Sequence, residues 1–225
     1  MKIIFVRHGH PNYKDDCLTE LGHPQAEAAA ERLKDEKIDK IFSSSCGRAV
    51  QTAEHIAARH NLDITQLDFM KEIRWGVIDT DDFVHPWWLV DEWVRDGKDI
   101  MNLDWKEHAD YKGHQVVDNY NILSTEFDKW LAQLGYERDG HYYRITKENN
   151  DTIMLVSHGG SSSVALAHIF NLPFSFVCRA ICPDFTAITV VDFDGKEGEL
   201  TSPRFDLVND ARHIEGITAE KYYGN

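Results

Sequence analysis

Apolar residues in this chain fall into short bursts, each running into a polar loop and then into a helical pattern. Lys2 to Val6 is an apolar burst of strand length that ends abruptly in Arg7-His8-Gly9-His10-Pro11. Ile38 to Phe42 predicts a second strand, followed by Ser43-Ser44-Ser45-Cys46-Gly47-Arg48 and a helix over 49–60. Met154 to Val156 predicts a third, running into Ser157-His158-Gly159-Gly160-Ser161 and a helix from Ser163 to Phe170. An alanine-rich helix is expected over 24–34, entered either through a Thr19 cap or with Pro24 as its first residue. Thr186 to Phe193 reads as a late strand before an Asp194-Gly195 turn, and Tyr142 to Thr146 as a hairpin arm.

This alternation predicts an α/β fold, a three-layer α/β/α sandwich around a mostly parallel central sheet. Three strand ends then deliver Arg7 and His8, Arg48, and His158 to the carboxyl edge, where open α/β sheets bind ligands. Residues 79–115 break the rhythm, being acidic and carrying Trp87, Trp88, Trp93 and Trp105. We expect an inserted cap beside the strand ends, within one domain spanning 1–225. Helical spacing of the tryptophans favours core packing over contact with a ligand.

Charge narrows the partners. The 24 basic and 38 acidic side chains give a formal charge of −14, which repels nucleic acid and anionic membrane surfaces. An anionic substrate would therefore need a local cluster of cations. The first apolar run is too short for a signal-peptide core or a membrane span, so a cytoplasmic protein is expected. Cys17, Cys46, Cys178 and Cys182 are too scattered for a disulfide scaffold or a zinc site, and the twelve histidines show no His-Glu-x-x-His spacing. No metal and no cofactor are expected.

The strand-end residues suggest anion chemistry. Arg7 offers a planar fork matched to phosphate oxygens, His8 a nitrogen nucleophile, and Gly9 room for backbone to approach an anion. Arg48 falls in the first turn of a helix behind a serine cap, where free amides and the helix dipole favour an anion. His158, between a strand and a Gly-Gly turn, can hydrogen-bond a phosphoryl oxygen.

Phe5-Val6-Arg7-His8-Gly9, Leu18-Thr19-Glu20-Leu21-Gly22, Ser43-Ser44-Ser45 leading to Arg48-Ala49-Val50-Gln51-Thr52-Ala53, and Val156-Ser157-His158-Gly159-Gly160 together resemble the histidine phosphatase superfamily, also called phosphoglycerate mutase-like. The late run Asn209 to Ile214 is similar as well. The resemblance implies that His8 is the phosphorylated residue and that Arg7, Arg48 and His158 bind the phosphoryl group. It also places a general acid within Lys71 to Gly76, for which Glu72 is the choice. Many family phosphatases continue after that glycine with Trp-Glu-Gly, whereas this chain has Ile78-Asp79-Thr80, so Asp79 is a second candidate acid.

The expected activity is hydrolysis of a small phosphate monoester without a metal, with His8, Glu72 and His158 catalytic and Arg7, Arg48 and His158 binding phosphate. Three rivals are weighed. A mutase would move phosphate between sugar-acid hydroxyls, but residues 10–17 lack the expected mutase-like continuation. A serine hydrolase would use Ser161 in Gly159-Gly160-Ser161, which lacks the last glycine of the nucleophile elbow. A non-catalytic module would bind phosphorylated ligands in the same pocket.

Overall fold

The computed structural model describes residues 1–76 and 86–218. In chain order its strands are β1 (Lys2–Arg7), β2 (Pro11–Asn12), β3 (Cys17–Leu18), β4 (Lys40–Ser44), β5 (Ile64–Leu67), β6 (Tyr136–Asp139), β7 (Tyr142–Ile145), β8 (Thr152–Ser157), β9 (Ile188–Asp192), β10 (Leu200–Thr201) and β11 (Arg204–Asp210). Its α-helices are α1 (Gly22–Leu33), α2 (Gly47–His60), α3 (Pro86–Arg95), α4 (Gln115–Gln133), α5 (Gly159–Ile169) and α6 (Phe174–Ala180).

The main sheet has the order β11-β9-β1-β8-β4-β5. β1, β8, β4 and β5 run parallel, whereas β9 is antiparallel to both β1 and β11. The centre of β1 is buried on both faces, which explains its unbroken run of apolar residues. Ile3 and Phe5 face one core with Leu155, Phe127, Val164 and Phe174, and Ile4 and Val6 face the other with Met154, Ala30, Ala53 and Ile56. Helices α1 and α2 thus cover one face and α4, α5 and α6 the other, giving the three layers. Burying each large aliphatic side chain contributes about 1.5–3 kcal/mol.

Several boundaries differ from expectation. Helix α1 opens at Gly22, with Pro24 as its third residue, and the Thr19 hydroxyl accepts the Gly22 amide hydrogen at 3.2 Å. The late strand is shorter than 186–193 because Thr186 turns with φ 54° before the chain reaches β9. Tyr142–Ile145 does form a hairpin arm with β6, extended by β10 on its other side. Helix α5 begins at Gly159, not Ser163. Its two glycines lower helix propensity, but their amides lie in the first turn and need no helical acceptor.

The tryptophans of the expected insertion divide. Trp93 and Trp105 are buried in a cluster with Tyr111 and Phe174, as periodicity predicts. Trp88 is exposed and Trp87 is only partly covered. Asp79, the alternative acid, lies outside the described residues.

Candidate active site

Register brings the candidate residues together. β1 pairs with β8 so that Arg7 lies opposite Ser157, and β4 pairs with β8 so that Ser43 lies opposite Val156. His8 and His158 directly follow β1 and β8, and Ser44 is the last residue of β4. The His8 amide donates to the Ser157 carbonyl at 2.9 Å, and the Thr186 amide donates to the His8 carbonyl at 3.4 Å. His8 is therefore held by β8 on one side and by the turn before β9 on the other.

Packing alone requires glycine at position 9. A Cβ there would lie 2.6 Å from the carbonyl oxygen of Gly22, so any side chain would push α1 away from the site. The Gly9 amide donates to the Thr52 hydroxyl at 3.1 Å, and that hydroxyl donates to the Arg48 carbonyl at 2.8 Å. The loop after β1 is thereby tied to the first turn of α2.

The serine cap expected before Arg48 is replaced by a long-range one. Cys46 occupies the N-cap without a side-chain hydrogen bond, and the Asp16 carboxylate accepts the Gly47 amide hydrogen at 2.8 Å. Its other oxygen accepts from Arg48 Nη1. Arg48 is buried, with its Nε 3.4 Å from His8 Nε2 and its guanidinium 5.4 Å from the Tyr13 ring centroid.

His8 Nδ1 lies 2.7 Å from the Gly9 carbonyl oxygen, which can only accept, so the proton resides on Nδ1. Nε2 then carries the lone pair, which accepts from Arg48 Nε at 3.4 Å. Burial, reinforced by the charges of Arg7 and Arg48, pushes the His8 pKa down to about 3. The imidazole is therefore neutral at physiological pH. The His158 ring packs edge-on to that of His8, centroids 5.0 Å apart, and its Nε2 is 2.8 Å from the Ser44 hydroxyl. Burial, then His8 and the two arginines, hold His158 well below the usual imidazole range.

Arg7 Nη1 donates to the Pro183 carbonyl at 2.5 Å, and its guanidinium stacks 4.3 Å from the centroid of Phe185. Arg7 Nε and His158 Nδ1 are both buried without a hydrogen-bond partner among the described residues. Two unmet polar atoms in one site are costly, and a ligand would relieve the cost.

Glu72 enters from the loop after β5. Its Oε1 accepts from the amides of Ile73 and Ser161, each at 3.0 Å, and its Oε2 accepts from the Gly160 amide at 3.3 Å. Burial raises its pKa, outweighing the opposing pull of these donors and of Arg7. Arg7 and Glu72 line one cavity of about 450 Å³, together with Gly159, the chain neighbour of His158. Ser161 is fully buried, and its hydroxyl accepts the His158 amide hydrogen at 3.3 Å, which does not suit the exposed nucleophile a serine hydrolase requires.

One contribution was not evident from the sequence. Asn209, in the run Asn209 to Ile214, donates through Nδ2 to the Cys182 carbonyl and accepts the Asp184 amide hydrogen, at 3.0 and 2.9 Å. It grips the turn whose middle residue, Pro183, holds Arg7. Among the described residues no group of three or more His, Cys, Asp or Glu side chains is arranged to hold a metal ion. No described helix is long and apolar enough to cross a membrane.

Comparison with known proteins identifies the fold and the family. The chain is 23% identical to a probable phosphoglycerate mutase GpmB of Proteus mirabilis, with 98% of each chain aligned. Among solved structures, it resembles a mutant phosphoserine phosphatase from Entamoeba histolytica in complex with phosphoserine, at a TM-score of 0.64 and 21% identity over 95% of this chain and 98% of that one. It also resembles a mycobacterial glucosyl-3-phosphoglycerate phosphatase, at a TM-score of 0.63 and 24% identity over 92% and 98%. The model of the histidine phosphatase superfamily (branch 1) matches residues 3–115 and 140–205, and the chain belongs to that superfamily.

Proposed function

We propose that the protein is a phosphohydrolase that takes the phosphoryl group of a small phosphate monoester onto His8 and releases it to water, without a metal ion. The observation that carries this reading is the 2.7 Å approach of His8 Nδ1 to the Gly9 carbonyl oxygen. The Gly9 carbonyl holds the proton on Nδ1 and leaves Nε2 as a neutral nucleophile beside Arg48.

In the first step Nε2 attacks phosphorus as the bond to the leaving oxygen breaks. Arg48, Arg7 and the unpartnered His158 Nδ1 donate to the equatorial oxygens, in place of a metal. His158 can donate there when the Ser44 hydroxyl donates to its Nε2, which leaves the ring proton on Nδ1. Glu72, whose burial biases its carboxyl toward the protonated form, gives its proton to the leaving alkoxide. In the second step the Glu72 carboxylate accepts a proton from water as water attacks phosphorus, the N–P bond breaks, and inorganic phosphate leaves. The region from 86 onward serves as a cap, because Trp87 of α3 forms part of the cavity wall.

A mutase reading draws on the name of the full-length relative. Holding a phosphorylated sugar acid requires a cation for its carboxylate. Arg7, which the phosphoryl group engages, is the one cation among the described residues lining the cavity. Hydrolysis is therefore the better supported reading. Assaying phosphate release from an aryl phosphate, with and without chelator, tests it. Release that survives chelation and disappears in His8→Ala is expected, and a strict magnesium requirement would refute it.

A further inference from the structure

The wall of the cavity beyond Arg7 and Glu72 is apolar and aromatic, and this bears on the alcohol half of the ester. Trp75 and Trp87 meet edge to face with ring centroids 5.6 Å apart. Trp75 is fixed from behind by Phe174, with which it stacks at 5.6 Å and 21°. A Cβ built on Gly159 would lie 3.8 Å from Trp87 Cζ2 and 3.7 Å from Arg7 Nε, so the indole edge and the guanidinium come together over one glycine. The aromatic wall therefore starts where the phosphoryl group ends. Ile73 and Pro183 continue it.

Charge in this part of the cavity points the same way. Besides Arg7, the described lining residues include no cation. Lys71 and Arg179 pair with Asp68 and Asp91 at 2.9 and 3.4 Å, and Lys14 and Arg74, chain neighbours of lining residues, are exposed and do not line the cavity. A substrate carrying a carboxylate next to its phosphate would find no second cation among the described lining residues to pair with that charge.

The geometry points to phosphate monoesters of uncharged alcohols bearing an apolar ring as the substrate class, with Trp75 and Trp87 setting that preference. This rests on the phosphohydrolase reading and adds the identity of the leaving group to it. A ring placed against the two indoles gains by burial and by aromatic contact, whereas a short polar alcohol gains neither.

The test compares three esters that all expel primary alkoxides: ethyl phosphate, 2-phenylethyl phosphate and 2-carboxyethyl phosphate. For the wild-type chain, kcat/KM should rise about 10- to 100-fold from the ethyl to the phenylethyl ester, the advantage that burying one ring supports, and should fall for the carboxyethyl ester. Trp87→Ala should shrink the phenylethyl advantage to below about threefold, and Trp87→Phe should keep most of it, because a ring still faces the substrate. The wild-type ratios need no variant, so misfolding of Trp87→Ala would not blunt the test. Equal or faster turnover of the carboxyethyl ester overturns this inference while leaving the phosphohydrolase standing. Failure of all three esters to release phosphate or to phosphorylate His8 overturns both.

Discussion

Glu72 Oε1 lies 3.0 Å from the backbone nitrogen of Ser161, in the first turn of α5, so the candidate acid is held by the helix that follows His158. Gly160 makes the approach possible, since a Cβ there would lie 2.5 Å from the same oxygen. A carboxyl accepts hydrogen from all three amides that face it. A carboxamide cannot, because its NH₂ would meet an N–H. Glu72→Gln should therefore lose both the proton and the fixed geometry. We expect phosphorylation by an alkyl ester to fall by roughly 100- to 10,000-fold and by a nitrophenyl ester much less, because phenolate leaves without a proton. Single-turnover phosphoenzyme formation is the measurement, and equal losses on both esters would remove Glu72 from the role. Because its pKa is raised, the rate with the alkyl ester should decline as pH climbs through that value.

Arg48 divides its guanidinium between Asp16 through Nη1 and His8 through Nε. A lysine offers one ammonium and cannot keep both directions. Arg48→Lys should lower kcat/KM by about 10- to 1,000-fold, as removal of one transition-state donor does. An unchanged value would place Arg48 outside the reaction.

Asn209 positions Arg7 at one remove, through the turn at Pro183. Asn209→Ala should weaken competitive inhibition by inorganic phosphate by about 3- to 30-fold, the loss of one to two modest hydrogen bonds. Asn209→Asp retains the acceptor for the Asp184 amide and should recover part of it. Unaltered phosphate affinity in Asn209→Ala would show that the turn does not depend on this side chain.

The parallel core and the meeting of Arg7, His8, Arg48 and His158 were legible in the sequence, because apolar bursts ending in polar residues mark strand ends. Register then does the rest. What was hidden depends on contacts distant in sequence. Asp16 caps α2 from 31 residues away, and the amides that steady Glu72 come from 88 and 89 residues later. The start of α5 was misread because two glycines oppose helix on propensity alone. Helical spacing predicted Trp93 and Trp105 in the core but could not distinguish Trp87, which lies at the end of α3 that borders the cavity.

Two buried neutral histidines make stability depend on acidity. The pKa of His8 falls from an ordinary 6.5 to about 3 in the folded chain, and that of His158 is also depressed. Between those values the unfolded chain binds protons that the folded chain does not, so acidification favours unfolding. Well below pH 6.5 each such histidine should cost up to about 1.4 kcal/mol per pH unit. Chemical denaturation of the wild-type chain and of His8→Gln, followed from pH 7 to pH 4, should show a shallower decline in the variant. Parallel declines would mean that His8 is not buried neutral.

Hydrolysis through His8 requires the phosphoryl group to reside on it covalently between the two steps. Mixing the protein with an aryl phosphate, quenching within milliseconds in alkali and mapping the modified peptide by mass spectrometry tests this directly. One added phosphoryl group is expected on His8, stable to alkali, lost in acid and absent in His8→Ala. Phosphate released at full rate by His8→Ala, or a phosphoryl group on a serine such as Ser161, would contradict it.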